Sequence, residues 1–581
     1  MNSKNKIASF FNALFINFSH LKFIQKVEKI VTKMNPGEKI LFYLTSSLVI
    51  ITGLMLLIQV HRSFLIEIPS FGGSFTEGLV GSPRFINPLL AISDTDRDLT
   101  SLIYSGLLKT SNENGFTLDL AKSYEINEAG TIYNFLIKEN VYFHDGKEVT
   151  ADDVIFTIEK ALDEVIKSPK KLNWEGVLVE KINNKEIRFT LAKPYTPFLE
   201  ALTLGILPKH IWENVTPEEF PFSQFNIDPI GSGPYQIQKI IRNSGGIPTS
   251  IELLSFKKYS LGQPKIKSII FKFFQNEKNL LKAYEEKSIE SIGSLNQTTA
   301  KNMTEENKIY KSTLPRVFGL FFNQNIASVF LNKEIREALE VATPKNKIVA
   351  EVLLGYGKVI NGPTPKNVEE DKMVAEGDIE KAKAILSKND WKENKDGLLE
   401  KKTKSGTVLF KFSISTSDAE ELKKTALILK EAWEKLGAQI DIKIFEASDL
   451  SQNIIRGRKY DALLFGEVVN SEGNLYPFWH SSERIDPGLN ISLYANITAD
   501  KMLEEIQRET NEEIRASKRK ILLSEIKKDK PAIFLFSPSF LYLPAKDIKN
   551  ISLKETATQS ERFISIEDWF IETDKVWKFF K

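Results

Sequence analysis

From Ile40 to Val60 the chain reads ILFYLTSSLVIITGLMLLIQV, with no charged side chain. Built as a helix rising 1.5 Å per residue, this stretch is about 31 Å long, the thickness of a bilayer's hydrocarbon core. The sequence beyond it reads as soluble protein. The chain therefore divides into a short head, a single transmembrane anchor and a long body that works at a membrane surface.

The head carries Lys4, Lys6, Lys22, Lys26, Lys29, Lys33 and Lys39 against Glu28 and Glu38, while only Arg62 and then Glu67 follow the span closely. Positive charge before the span places the head in the cytoplasm and the body outside. Cleavage after the span needs small residues in an A-x-A-like pattern. Gln59-Val-His-Arg-Ser-Phe64 offers no such pattern, and no cysteine is present for lipid attachment. A retained signal anchor is expected, with a signal peptide cut at an atypical site as the alternative. Within the head, Phe11, Leu14, Phe15, Phe18, Leu21, Ile24, Val27 and Val31 recur at helical spacing, and Lys22, Lys26, Lys29 and Lys33 follow the same period. This pattern fits an amphipathic helix on the anionic inner leaflet or against a partner subunit.

Composition excludes several classes. The 581 residues carry a net charge of +2, so no basic field points to nucleic acid. With no cysteine there are no disulfides, thiolate nucleophiles or cysteine metal sites. Five histidines, His20, His61, His144, His210 and His480, are too dispersed for a zincin helix. Neither a Gly-Lys-Ser/Thr loop nor a G-x-S-x-G elbow is found. A carboxylate pair for glycoside hydrolysis is compatible with the many acids, but no pair is singled out.

Along the body, Asp94 or Thr95 is positioned to cap a helix with the apolar face Leu99, Leu102, Ile103 and Leu107. Thr131–Ile137 alternates as a strand, and Asp145-Gly146 marks a tight turn. Thr150 and Asp153 form a capping-box pair. Gly231-Ser-Gly-Pro-Tyr235 is a sharp turn entering a strand. Helices and strands then alternate through residue 445 in the order of an α/β layered domain. Pro531–Leu543 reads as a buried strand pair. His144, Asp145, Asp152 and Asp153 are explained by a turn and a helix cap without a metal. Tyr476, Phe478 and Trp479, beside the polar run Asn470-Ser-Glu-Gly-Asn474, suit either a ligand cleft or packing on the domain beneath.

An ordered set of motifs runs from about residue 75 to 545. It comprises Asn87-Pro-Leu-Leu90, Leu102-Ile-Tyr-Ser-Gly-Leu107, Leu120-Ala-Lys-Ser-Tyr-Glu-Ile126 with Gly130, and Phe143-His-Asp-Gly146. Thr150-Ala-Asp-Asp-Val154, Phe156-Thr157, Ile206-Leu-Pro-Lys-His210 and Gly231-Ser-Gly-Pro-Tyr235 come next. Gly262-Gln-Pro-Lys-Ile266, Phe322-Asn323, Ile335-Arg-Glu-Ala-Leu339 and Tyr460-Asp461 complete it. This set resembles the bacterial extracellular solute-binding protein family 5, which includes the oligopeptide- and dipeptide-binding proteins of ABC importers.

The resemblance implies an α/β, two-lobed, periplasmic-binding-protein-like fold of type II with an extra family-specific subdomain, behind one N-terminal transmembrane helix. The expected division is a basic amphipathic cytoplasmic segment at 1–39, the anchor at 40–60 and a tether at 61–75. Lobe I takes 66–110, 228–325 and 533–581, the extra subdomain 111–227 and lobe II 326–532, with the hinge near 325 and 533. Three departures stand out: Ser232 replaces the usual threonine, Ser260 replaces an aromatic after Tyr259, and the segment after Tyr460-Asp461 reads Gly466-Glu-Val-Val-Asn-Ser-Glu472. Peptide-binding members place an aspartate in that segment for the ligand's α-ammonium. Asn470 is the nearest equivalent, flanked by Glu467 and Glu472, and an amide gives a hydrogen bond without the charge.

The expected function is a membrane-anchored extracytoplasmic receptor for peptides or a related small solute, serving an ABC permease and its ATPase subunits. It has no catalytic residue, metal or cofactor, and its lipid contact is through the N-terminal helix. An anchored hydrolase of peptide or glycan is the alternative, and a sensory role with the same fold is a third. Ser93 and Asp94 at the helix start, with Glu467, Asn470 and Trp479 after the Tyr460 strand, are the candidate ligand-binding residues.

Overall fold

The computed structural model describes residues 22–111, 115–303, 308–365, 377–404, 406–469, 474–553 and 558–580. Two compact units emerge, one of Met1–Pro69 with Thr573–Lys581 and one of Ser70–Glu572. The head positions Phe11 to Leu21 lie outside the described residues, as does Asn470.

In the smaller unit a helix over Lys22–Thr32 is followed by the long helix Pro36–Ser63. The second start is locally encoded. Pro36 sits in the first turn, where its missing N–H is no loss, and the Glu38 carboxylate accepts from the Asn35 N–H at 2.9 Å. This helix is long and apolar enough to cross a membrane, and none of its residues is buried. Residues 61–75, expected as a tether, are regular structure instead. The helix runs to Ser63, Leu65–Pro69 pairs antiparallel with Thr573–Trp577, and Gly72–Val80 opens the larger unit as a sheet strand.

The larger unit has three main sheets. A five-stranded sheet has the order Ser291–Ile292, Gly72–Val80, Ile266–Phe274, Pro248–Ser255, Tyr235–Arg242. A four-stranded antiparallel sheet is built from Ala121–Ile126, Ile132–Ile137, Glu186–Leu191 and Val177–Asn183. The seven-stranded sheet centres on Arg316–Phe322, between Ala532–Tyr542 and Ala462–Val468, and continues into Lys411–Ser417 and Gln439–Phe445. Alternate residues of its strands enter two different cores. Leu464 and Phe322 pack with Trp433 on one face, and Leu463 and Phe321 pack with Trp479 on the other.

Residues 531–543, expected as a strand pair, form the single strand Ala532–Tyr542. Its first half pairs with Arg316–Phe322 and its second with Tyr310–Thr313. Pro538 falls at the changeover, in register with Gly357, where a missing N–H is tolerated without a turn.

One buried charge cluster joins three distant parts of the larger unit. Arg562 is fully buried. It donates to Asp98 Oδ1 at 2.8 Å and Oδ2 at 2.6 Å, and to Glu77 Oε1 at 2.7 Å. Glu77 Oε2 accepts from Tyr542 at 2.9 Å and Ser291 at 2.8 Å. Burial lifts Asp98 to about 6 against the pull of the guanidinium, and the two carboxylates hold Arg562 charged. Removing Arg562 strands two buried acids. Arg562→Met is expected to destabilise the protein by about 3–5 kcal/mol, and adding Glu77→Gln with Asp98→Asn to recover part of the loss, read from urea midpoints.

The Gly231–Tyr235 turn packs on the end of the Asp94–Ile103 helix. Gly233 donates to the Ile103 carbonyl at 2.8 Å, and a Cβ on Gly231 would meet that oxygen at 2.0 Å, so glycine is required. His144 holds the turn from the other side. Its Nδ1 accepts from the Gly231 N–H at 3.3 Å, leaving the Nε2 proton for the Gly233 carbonyl at 3.1 Å. Burial depresses its pKa from 6.5 to about 4. Between those values the unfolded chain binds the proton and the folded chain does not, so stability falls as pH drops from 6.5 to 4. The loss is expected to be about 3 kcal/mol more in the native chain than in His144→Gln, measured by unfolding at each pH.

Candidate ligand site

The Asp94–Ile103 helix is the principal wall of the site, and its start explains its placement. Ser93 is the N-cap, one residue before the expected Asp94 or Thr95, and its Oγ accepts from the Asp96 N–H at 3.1 Å. The Asp96 carboxylate then accepts the Arg84 and Phe85 N–H groups at 2.7 and 2.9 Å, binding the preceding loop to the first turn. Leu99, Leu102 and Ile103 are buried on the apolar face, and Asp98 reaches Arg562.

Toward its far end this helix lines a cavity of about 480 Å³, within the range of small-molecule sites. Arg97, Thr100, Ser101 and Tyr104 face it. Lys109, Asp119, Lys170, Trp174, Glu200 and Tyr259 surround them, with Val468 and residues of the 558–564 segment. The same helix and segment are those clamped together by Asp98 and Arg562.

Three of these side chains carry a buried polar atom with no partner among the described residues: Thr100 Oγ1, Tyr104 Oη and Trp174 Nε1. An unpaired buried donor or acceptor costs about 1–3 kcal/mol, and three of them belong to side chains of this one cavity wall. Charge is balanced in sign. Arg97, Lys109 and Lys170 stand with Asp119, Glu200 and Glu561. Lys109 pairs with Glu567 at 2.8 Å. Burial pushes the Asp119 carboxyl up, opposed by the hydroxyl of Ser260, which donates to it, and by Lys109 and Lys138. Ser260 therefore serves Asp119 where the family pattern has an aromatic. Burial, with Arg97 nearby, lowers Lys170.

None of the described candidate residues lines this cavity. Ser93 and Asp94 are exposed at the capped end, with Asp94 at 3.7 Å from Arg97. Glu467 alternates with Val468, so Val468 reaches the cavity and Glu467 faces the core shared by Leu463 and Phe465. Trp479 is 1% exposed in that same core, with ring centroids 5.7 Å from Phe534, 6.0 Å from Tyr494 and 6.4 Å from Phe321. Of the two settings open to the Trp479 ring, packing beneath the surface is the one found. The lining residues had one signal in the sequence: Thr100, Ser101 and Tyr104 are polar groups one turn apart beside an apolar stripe. Among the described residues, no three His, Cys, Asp or Glu side chains gather as a metal site.

The comparisons identify the scaffold. The family model described as bacterial extracellular solute-binding proteins, family 5 Middle, matches residues 115–485. The chain belongs to this family. It is 28% identical over 510 residues to the oligopeptide-binding protein AppA of Bacillus subtilis, covering 83% of this chain and 91% of that protein. The solved structure of that protein with a nonapeptide aligns with a TM-score of 0.65 at 28% identity, over 87% of this chain and 100% of the other. NikZ of Campylobacter jejuni, solved with Ni(L-His), aligns with a TM-score of 0.65 at 26% identity, over 86% and 99%. The chain is thus a solute-binding protein with the two-lobed fold, and nothing in these relatives supports the hydrolase alternative.

Glu467 carries its own test. Its Oε1 has no partner among the described residues, and burial raises its pKa well above 4.5 against the opposing charge of Arg458. Above pH 4.5 the unfolded chain releases this proton while the folded chain keeps it, so the folded state loses ground as pH rises. Glu467→Gln is expected to be more stable than the native chain at pH 7–8, with the gap closing below 4.5, measured by thermal unfolding across pH.

Proposed function

We propose that this chain is a membrane-anchored receptor, head in the cytoplasm and body outside, that captures peptides in the cavity beside the Asp94–Ile103 helix and delivers them to an ABC permease. The observation that carries the reading is the trio of unpaired polar atoms on Thr100, Tyr104 and Trp174. A peptide backbone supplies donors and acceptors to all three. The acids and bases around them suit a ligand with two charged ends. The nonapeptide held by the Bacillus subtilis relative supports peptide as the class. The body works without breaking a covalent bond, and energy for transport comes from the partner ATPase.

In this reading the lobes divide near 325 and 533, where Arg316–Phe322 and Ala532–Tyr542 lie side by side. The four-stranded sheet is the extra subdomain of 111–227. A ligand touching both lobes favours the closed form by that added contact. Ser93 and Asp94 then stand at the rim, and Asn470, two residues after Val468 in the chain, is the polar residue of that segment left to act in closure.

The test is mass spectrometry of small molecules released from the purified full chain, then titration of a matching peptide. Peptides in the released fraction support the reading. A metal–amino-acid chelate in their place would redirect it, and turnover of the bound peptide would count against a pure receptor. Thr100→Val and Tyr104→Phe are each expected to weaken binding by about 3–10-fold while leaving the unliganded protein as stable or more so, because each removes an unpaired atom. Lost stability with unchanged affinity would place the ligand elsewhere.

A further inference from the structure

The outer end of the apolar helix is flanked by rings from the other end of the chain. Leu65 stands opposite Trp577 in the two-stranded ribbon, and the Lys578 N–H donates to the Phe64 carbonyl at 2.8 Å. The Trp577 ring lies 5.3 Å from His61 and stacks at 6.2 Å on Phe64, which meets Phe579 at 5.7 Å. These rings are open to the surroundings: Phe64 is 38% exposed, Trp577 40% and Phe579 73%.

Their level follows from helix geometry. Ile40–Val60 fills a hydrocarbon core of about 30 Å, and His61–Ser63 add about 4.5 Å. The headgroup layer on each side is about 5–7 Å thick, half the difference between whole bilayer and core. Phe64 and the paired Trp577 therefore fall within that layer. It is where amphipathic rings concentrate, with an apolar body toward the chains and a polar N–H toward water. Tyr43, 62% exposed beside Phe42, stands near the opposite end, about 31 Å away along the helix.

We infer that the C-terminal ribbon is a second membrane contact, with Trp577, Phe579 and Phe64 seated in the outer headgroup layer of the bilayer that the helix crosses. The inference rests on the anchor reading. The ligand is the lipid interface itself, and the argument for it is direct chain continuity with the span. The strand Thr573–Trp577 then touches the membrane that residues 40–60 cross, and the ribbon is held at the surface by two segments.

The full chain in phosphatidylcholine nanodiscs, with bromine on the acyl carbons nearest the headgroup, tests this. Trp577 is one of seven tryptophans and the one that belongs to the smaller unit. Brominated lipid is expected to quench emission, and Trp577→Phe to remove a quenched component of about one-seventh of the total. Phe64→Trp placed in the Trp577→Phe chain is expected to restore it. Equal fractional quenching with and without Trp577 would overturn the inference, as would the absence of quenching, which would leave the rings to water or a protein partner. Carbonate extraction of the same samples separates the two ideas. A chain released by carbonate defeats the anchor reading and this inference together, whereas a chain retained with quenching unaffected by Trp577→Phe defeats this inference alone.

Discussion

The larger unit is organised around a guanidinium that water does not reach. Arg562 comes from a short turn late in the chain, Asp98 from the middle of the cavity-lining helix and Glu77 from a central strand of the five-stranded sheet. Burying three charges is expensive, and it is tolerable here because nearly every lone pair is used. Asp98 is bound at both oxygens, and Glu77 is shared among Arg562, Tyr542 and Ser291. Apolar side chains of similar volume would fill the space with less penalty but would slide. The bidentate fork sets one register between the helix and the 558–564 segment, and these are two walls of the cavity. Cavity geometry is therefore inherited from a charge cluster whose three members lie outside the cavity lining.

Two groups of unpaired polar atoms differ in where they sit. Thr100, Tyr104 and Trp174 hold theirs in side chains of the cavity wall. Glu467 and Trp479 hold theirs in an apolar core beneath the seven-stranded sheet. The first kind loses free energy as long as no partner reaches it, which is what the proposed peptide would relieve. The second is kept neutral by its surroundings, which is why the Glu467 carboxyl is driven toward its protonated form.

Much of the fold was legible because local chemistry and tertiary role agree. The charge-free run 40–60, the Pro36 start, the alternation at 132–137 and the glycine after the Glu420–Glu434 helix all act within a few residues. The Pro531–Leu543 segment failed this test, since a proline between serines resembles a turn. Only the partner strands show that Pro538 sits where one pairing ends and the next begins. The tether failed for the same reason, because Leu65–Pro69 is a strand by virtue of Thr573–Trp577, some five hundred residues away in the chain.

The candidate site was legible to the level of the element and not of the face. Sequence reasoning chose the helix that begins at Asp94 but favoured its capped start, where Ser93 already satisfies a backbone group and Asp94 stands beside Arg97. A capping hydroxyl is occupied by its own helix, whereas Thr100 and Tyr104, about two and three turns on, have no such local duty. On the second strand the difference has the period of two. A slip of one residue along Ala462–Val468 exchanges Val468, which reaches the cavity, for Glu467, which enters the core. Polar residue type alone selects the glutamate. Only the register against Val317, fixed by the neighbouring strand, assigns its side to the core and leaves the cavity to a valine.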